Sequence, residues 1–181
     1  GKERANRYNL TDRMPVFDVV EYEGGLLIGA RRQADNDHWY WRITPFIMPW
    51  HSLIPPRAGH PIGGHAWVPI DDENCWAWSI NYHPNRALTA EELQAMKEGK
   101  GIHVQYVPGT FIPLANKSND YLMDRSTQKS GHNYSGVEGI AMQDASLQES
   151  MGPIQDRTKE NLVPTDQDIV MARRRLIAAA Q

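Results

Sequence analysis

The sequence predicts an α+β fold in which an antiparallel sheet is packed by helices from the C-terminal half of the chain. Strand-like alternation dominates the first half of the 181 residues, and helical periodicity appears only later. Short turns separate most of the strand-like segments, so neighbouring strands are expected to run antiparallel. The strand-like segments are VFDVVEY (16–22), GLLIGARR (25–32), HWYWRIT (38–44), HAWVPI (65–70) and CWAWSINY (75–82).

The tryptophans of these segments are expected to lie mainly in the sheet core, with one or two lining a ligand cavity. Alternation puts Trp39 and Trp41 on one face of the third segment and Arg42 on the other. Trp76 and Trp78 share a face of the last segment for the same reason. The pattern therefore predicts a strongly apolar sheet face.

The segments outside the predicted strands differ in character. Residues 1–13 are polar and are interpreted as a linker or the torn edge of a longer chain, and residues 45–56 as an irregular connection. Residues 100–138 show little periodicity, which indicates a functional or disordered segment. A helix capped by Thr89, with Glu92 three residues later, is predicted over 89–99.

The last predicted helix begins at a cap on Thr165. Its arginines at 173–175 fall mostly off the apolar stripe, so a solvated face is expected for them. The inward stripe is predicted to consist of Ile169, Ala172, Leu176 and Ala180.

The helix within GIAMQDASLQESMGP carries a carboxylate on its apolar side. On a helical wheel Ile140, Asp144, Leu147 and Met151 share one side, whereas Glu149 lies nearly opposite Asp144. A helix that packs this stripe inward would bury Asp144, and a buried carboxylate needs a cation, a metal or strong donors. The residues leave two readings open, a functional site and a structural ion pair. The ion-pair candidates are Arg42, Arg125 and Arg157.

Composition limits the possible functions. A formal charge of −3 and a pI near 6.2 argue against a nucleic-acid or anionic-membrane surface. No apolar run is long enough to span a membrane and no signal peptide is evident, so a cytoplasmic protein is expected. Cys75 is the single cysteine, which excludes an internal disulfide, a cysteine-based zinc site and an iron–sulfur cluster within this chain.

Other candidate sites are weaker. His60 and His65 in AGHPIGGH could bind a metal together with a distant aspartate, but Pro61 and the following glycines exclude a rigid helix between them. Cys75 lacks a neighbour that would activate it as a nucleophile. Common nucleotide-binding, hydrolase and zinc-protease motifs are absent from the sequence.

The second half of the chain resembles a known family. NDYLMDRSTQK (119–129), SGVEGIAMQD (135–144) and QESMGPIQDRTKENLVPTDQDIVMARRRLIAAA (148–180) are similar to the C-terminal end of Rieske-type aromatic-ring-hydroxylating oxygenase α subunits, in the phthalate-dioxygenase-like branch. GLLIGARR, YWRITPFIMP and GGHAWVPIDDEN resemble the same branch. The resemblance implies that residues 14–181 are the C-terminal part of a single helix-grip catalytic domain with mononuclear non-haem iron.

In that family two histidines and one aspartate hold Fe(II), and the aspartate falls on Asp144. The two histidine ligands are expected upstream of this chain, and the [2Fe–2S] Rieske cluster in an N-terminal domain outside it. His60 and His65 match a different stretch and are not assigned as ligands. The chain is therefore expected to be an incomplete enzyme.

The resemblance implies an oxidoreductase that hydroxylates or O-demethylates an aromatic substrate with O2. Electrons would come from an NAD(P)H-dependent reductase, and the α subunits would form a homo-oligomer, a trimer. Arg42 is the candidate to pair a substrate carboxylate, with a strand-end salt bridge as the alternative role. The competing functional hypotheses are a helix-grip module that binds a hydrophobic ligand without redox chemistry and a purely structural fragment.

Overall fold

The computed structural model describes residues 2–181, which divide into two compact units. Unit 1 contains the residues up to 69 together with 75–84 and 157–181, and unit 2 contains 70–74 and 85–156. The α+β class is confirmed, whereas the helix-grip arrangement and the single-domain boundaries remain predictions. The strands are β1 (Val16–Tyr22), β2 (Gly25–Gln33), β3 (Trp39–Ile47), β4 (His51–Leu53), β5 (Ile62–Pro69) and β6 (Cys75–Tyr82). The α-helices are α1 (Lys2–Thr11), α2 (Ala90–Lys97), α3 (Arg125–Lys129), α4 (Ile140–Ser150) and α5 (Gln167–Ala180).

Unit 1 is built on one antiparallel sheet whose strand order follows the sequence from β1 to β6. All five strands predicted from alternation are present, and β1 and β6 match their predicted bounds. The short strand β4 was missed. It lies in a proline-rich segment, and its three residues are too few to show an alternating pattern.

The register assigns every strand residue to one of two faces. Gly29 pairs with Ile43 and Arg31 with Trp41, so these four residues share a face, as alternation predicts for β3. We call this face the open face, because its large side chains are exposed. Its exposed apolar residues are Val16, Val20, Tyr22, Leu27, Trp39, Trp41, Ile43, Ile47, Trp76, Trp78, Ile80 and Tyr82.

The prediction that most strand tryptophans lie in the core is therefore wrong for four of them. Trp39, Trp41, Trp76 and Trp78 retain between 42% and 54% of their accessible surface. Alternation identifies residues that share a face, but it does not determine whether another layer covers that face.

The opposite face of the sheet, the covered face, carries helices. Leu26 on this face is completely buried. Helix α5 lies against β1 and β2, and the ring of Tyr8 in α1 lies 5.5 Å from the ring of Tyr40 in β3. Residues 2–11, predicted as a linker or torn edge, thus include a helix that contacts β2.

The predicted inward stripe of α5 is wrong. Ile169 and Leu176 are exposed, whereas Arg173 and Arg175 are half-buried. Arg175 Nη2 donates to the carbonyl oxygens of Tyr22 and Glu23, at 3.2 and 3.1 Å. These hydrogen bonds and the ion pair of Arg173 with Glu160 orient the helix. A helical wheel that considers only apolar residues does not include such polar contacts.

The predicted cap is also wrong, because Thr165 lies in a 3₁₀ turn (Pro164–Asp166) and α5 begins at Gln167. By contrast, α2 begins with the capping box predicted at Thr89 and Glu92. Within residues 2–181, each helix is too short or too polar to cross a bilayer.

Candidate functional site

Helix α4 in unit 2 carries Asp144, the strongest candidate from the sequence. The helix runs from Ile140 to Ser150 and is flanked by Gly139 and Gly152, which have φ values of +80° and +93°. Glycine adopts this left-handed conformation without the steric cost that a Cβ imposes. The helix therefore lies between these two glycines, within the segment in which the sequence predicts it.

The stripe of α4 exists, but it faces outward. Ile140, Leu147 and Met151 are between 61% and 65% exposed, and Asp144 is exposed with them. The buried residue of the helix is Ser146, whose hydroxyl donates to the carbonyl of Gln143 at 2.9 Å. The prediction that Asp144 is buried within this chain is therefore wrong, whereas the shared face is correct.

The ion-pair alternative for Asp144 finds no support in the part of the chain that the structure describes. Arg125 donates to the side chain of Gln128, and Arg157 pairs with Glu160 at 3.0 Å. Within unit 2, as far as the structure describes it, Asp144 forms no ion pair. Its carboxylate is thus exposed on an apolar helix face and available to a ligand.

A tyrosine fixes the other side of α4. Tyr121 is buried, and its hydroxyl donates a hydrogen bond to Oε2 of Glu149. Burial, together with the neighbouring Glu149 carboxylate, raises the pKa of Tyr121 to about 12. The contact holds α4 against the 3₁₀ turn Lys117–Leu122 on the side away from Asp144.

The backbone that presents Tyr121 is strained. Asp120, Tyr121 and Leu122 have φ values of 53°, 55° and 53°, three consecutive non-glycine residues in the left-handed region. Such residues cost roughly 1–2 kcal/mol each and persist where the surrounding structure enforces them. The strained turn carries Tyr121, whose hydroxyl contacts Glu149 of α4.

The segment before α4 is ordered by local hydrogen bonds. Asp124 accepts from the backbone and hydroxyl of Ser126, at 2.7 and 2.6 Å, which holds the pKa of that carboxyl below its usual range. Asn133 bridges the loop by donating to the carbonyl of Val137, a residue that is almost completely buried. Asp124, Ser126 and Val137 lie in the two motifs that resemble the oxygenase family, and Asn133 lies between these motifs.

The histidines do not complete a metal site in this chain. His65 lies in β5, where its ring is 4.9 Å from the ring of Trp67 and its Nδ1 is 3.3 Å from Oγ of Ser79. His60 is exposed in the preceding turn. Among residues 2–181, no three side chains of His, Cys, Asp or Glu form a group that could hold a metal ion. The described residues therefore do not fit a complete iron site.

Arg42, the candidate substrate-binding residue, lies in unit 1. It is half-buried on the covered face of β3, opposite Ala30 of β2, and forms no ion pair among the described residues. A planar guanidinium is the group that binds a carboxylate in a bidentate manner, so Arg42 stays a candidate. Cys75 remains unsuited to nucleophilic catalysis, because desolvation raises the pKa of its thiol.

Two residues of interest had no clear signal in the sequence. Tyr121 lies in a motif that resembles the family, but its contact with Glu149 joins positions 28 residues apart. Arg31 lies over the rings of Trp39 and Trp41, at 4.4 and 5.8 Å from their centroids. Arg31 pairs with Trp41 across β2 and β3, and no local pattern in the sequence indicates this contact.

Comparison with known proteins defines the class: this α+β chain is similar to oxygenase subunits of aromatic-ring dioxygenases. It is 35% identical over 178 residues to the 3-chlorobenzoate-3,4-dioxygenase oxygenase subunit of Comamonas testosteroni, an alignment that covers 91% of this chain and 41% of that protein. It is 31% identical over 176 residues to the phthalate 4,5-dioxygenase oxygenase subunit of Pseudomonas putida, covering 93% of this chain and 38% of that protein.

The family model described as "LigXa C-terminal domain like" matches residues 4–181, and the chain belongs to this family. The resemblance identified from the motifs is thereby confirmed. The chain spans about two fifths of the length of the curated relatives it matches.

Proposed function

We propose that this chain is the C-terminal catalytic portion of a Rieske non-haem iron oxygenase that acts on an aromatic substrate. Family membership supports the class, and the single observation that supports the role of this chain is the outward face of α4. That face presents one carboxylate, Asp144, among three exposed apolar side chains. An exposed apolar stripe of this kind is expected where a further layer of protein covers the helix.

In this proposal Asp144 supplies the carboxylate of a mononuclear Fe(II) site. Two histidines from the part of the full-length polypeptide outside this chain complete the set of two histidines and one carboxylate. When bound, the iron supplies O2 activation, with electrons delivered from a [2Fe–2S] Rieske cluster in another domain. Tyr121 and Glu149 hold the helix on which Asp144 lies.

Arg42 is proposed to bind the carboxylate of an aromatic acid. The names of both relatives refer to aromatic acids, a chlorobenzoate and a phthalate. A bidentate guanidinium–carboxylate pair would orient such a substrate through two parallel hydrogen bonds. The enzyme would hydroxylate or O-demethylate this substrate with O2.

The partners follow from the same proposal. A reductase that oxidises NAD(P)H supplies the electrons, and the α subunits assemble as a homotrimer in the cytoplasm. The formal charge of −3 is consistent with a protein that binds neither nucleic acid nor anionic membranes.

Metal analysis of the full-length protein tests the ligand assignment. Asp144→Ala and Asp144→Asn are expected to reduce mononuclear iron content at least tenfold and to abolish product formation, while the visible spectrum of the Rieske cluster is unchanged. Glu138→Gln is the matched control, because Glu138 is an exposed carboxylate two residues before α4. Normal iron content in Asp144→Ala would overturn the assignment.

The same measurement separates the oxygenase from a hydrophobic-ligand-binding module. A full-length wild-type protein that contains no mononuclear iron after expression with iron, and forms no product with its reductase, would favour the binding module.

A further inference from the structure

Helix α4 begins without a side-chain cap. Its N-cap is Gly139, which has no side chain that could accept a hydrogen bond from the first turn. The buried residue of the helix is the small Ser146, so little of α4 is held by its own packing. A helix of 11 residues is marginal by itself in water. Contacts made by the neighbouring segments must therefore hold α4 in place.

The segment just before α4 is organised by the side-chain amide of Asn133. Its Nδ2 donates to the carbonyl of Val137 at 3.0 Å, and Val137 is only 1% exposed. Its Oδ1 accepts from the backbone N–H groups of Ser135 and Gly136, at 3.2 and 3.1 Å. Asparagine carries a donor and an acceptor on one short side chain, and Asn133 uses both at the same time.

This segment is also bonded to helix α3. The backbone N–H of Asn133 donates to the carbonyl of Thr127 at 3.2 Å, and that of Asp124, the N-cap of α3, donates to the carbonyl of Gly136 at 2.8 Å. An added Cβ at Gly136 would come within 2.7 Å of the Asp124 carbonyl oxygen, so the two backbones are in close contact. Asn133 therefore joins α3 to the entrance of α4.

We propose that Asn133 is a positioning residue that fixes the start of α4 and, with it, the location of Asp144. Val137 precedes the N-cap by two residues, and Asp144 lies roughly 6 Å along the axis from the first residue of the helix. The bond between Tyr121 and Glu149 restrains the later part of α4, and all of these residues belong to unit 2. The importance of Asp144 rests on the proposed function, whereas the position of α4 can be measured without it.

Hydrogen exchange of the full-length protein, followed by mass spectrometry, tests this role. Asn133→Asp keeps an acceptor for the two N–H groups, but its ionised carboxylate cannot donate to the carbonyl of Val137. The amides of α4 are expected to exchange about tenfold faster than in the wild-type protein. Asn161→Asp is the matched control, because Asn161 is exposed and lies outside unit 2. Unchanged exchange of α4 in Asn133→Asp would overturn the proposal.

A double variant distinguishes positioning of the helix from a local loss of hydrogen bonds. If Asn133→Asp displaces α4, the bond between Tyr121 and Glu149 is weakened as well, and Tyr121→Phe then removes less. The exchange rate of α4 in the double variant should therefore fall well below the product of the two single effects. Effects that simply multiply would show that the two contacts act independently and would overturn the proposal.

Asn133→Gln is a milder variant, because it keeps both functional groups and moves them by one methylene. It should accelerate exchange of α4 in the same direction, and it replaces Asn133→Asp in the double variant if that protein does not fold. Iron analysis of Asp144→Ala decides the proposed function separately. Either proposal can therefore fail while the other stands.

Discussion

The hydroxyl of Tyr121 donates a hydrogen bond to Glu149 and thereby joins a left-handed turn to helix α4. Glu149 lies five residues after Asp144 on the same helix, at a position that points away from it. The contact of Tyr121 with Glu149 therefore restrains the rotation of α4 about its axis, and with it the direction of the Asp144 carboxylate. The rotation of the candidate ligand helix thus depends on a residue that itself binds no metal.

Tyr121→Phe is expected to lower the free energy of unfolding by about 1–2 kcal/mol, because it removes a hydrogen bond to a charged group. Urea denaturation of the full-length protein measures this change. Tyr134→Phe is the matched control, since Tyr134 is almost fully exposed. A loss no larger than that of the control would show that the contact does not stabilise the fold.

The same tyrosine predicts a pH dependence at the alkaline end. The pKa of Tyr121 is raised to about 12 in the folded protein, from an ordinary value of 10.0. A raised pKa contributes stability that is complete below pH 10 and is lost as the pH rises from 10 towards 12. Thermal melts between pH 9 and 11.5 should show a decline that is smaller in Tyr121→Phe. An equal decline of the thermal midpoint in the wild-type protein and in Tyr121→Phe would show that Tyr121 does not cause the alkaline loss of stability.

Leu122→Gly is expected to be neutral or to stabilise the protein by up to about 1 kcal/mol. Glycine relieves the strain at φ 53°, and its greater freedom in the unfolded state offsets part of the gain. Leu122→Ala keeps the Cβ and the strain, so it separates backbone relief from loss of the exposed side chain. Equal stabilities of the two variants would show that the strain is negligible.

The pair between Arg173 and Glu160 predicts sensitivity to acid. Both guanidinium nitrogens contact the carboxylate, at 2.6 and 2.8 Å, and the pKa of Glu160 is lowered chiefly by Arg173. A lowered carboxyl pKa contributes stability that is present above the ordinary value and is lost as the pH falls through the lowered one. Arg173→Lys should lower the thermal midpoint by about 1–3 °C at neutral pH and less at pH 3. Arg174→Lys, an exposed neighbour, should change neither value.

Arg42→Gln in the full-length enzyme is expected to raise KM for aromatic carboxylates at least tenfold and to leave KM for neutral aromatics nearly unchanged. Arg174→Gln is the control, because Arg174 is exposed on α5. An equal effect of Arg42→Gln on both classes of substrate would assign Arg42 a structural role.

The features that the sequence predicted correctly are those that depend on local geometry. Alternation correctly separated Trp41 from Arg42, and the capping box correctly located α2. The sequence did not predict which side of an element is covered, because burial depends on layers that are remote in sequence. Asp144 therefore shares the predicted stripe but is exposed, and Arg175 is half-buried because the carbonyls of Tyr22 and Glu23 accept its hydrogen bonds.

The site was predictable only in part for the same reason. The choice of Asp144 came from periodicity and from the resemblance to a family, both of which can be read from a few dozen residues. The contact of Tyr121 with Glu149 depends on a left-handed backbone that non-glycine residues rarely adopt, so the sequence carried no signal for it.

The packing of α5 on β1 and β2 has a consequence for synthesis on the ribosome. Arg175 bonds to residues 153 and 152 positions earlier, so the first hairpin emerges long before the helix that covers it. At about 5–20 residues per second, the delay is roughly 10–30 s. Throughout that interval Leu26 lacks the helix that lies over its strand, so the nascent hairpin exposes apolar surface. Synonymous codons that slow translation between the hairpin and α5 should therefore increase aggregation, even though the folded protein is identical.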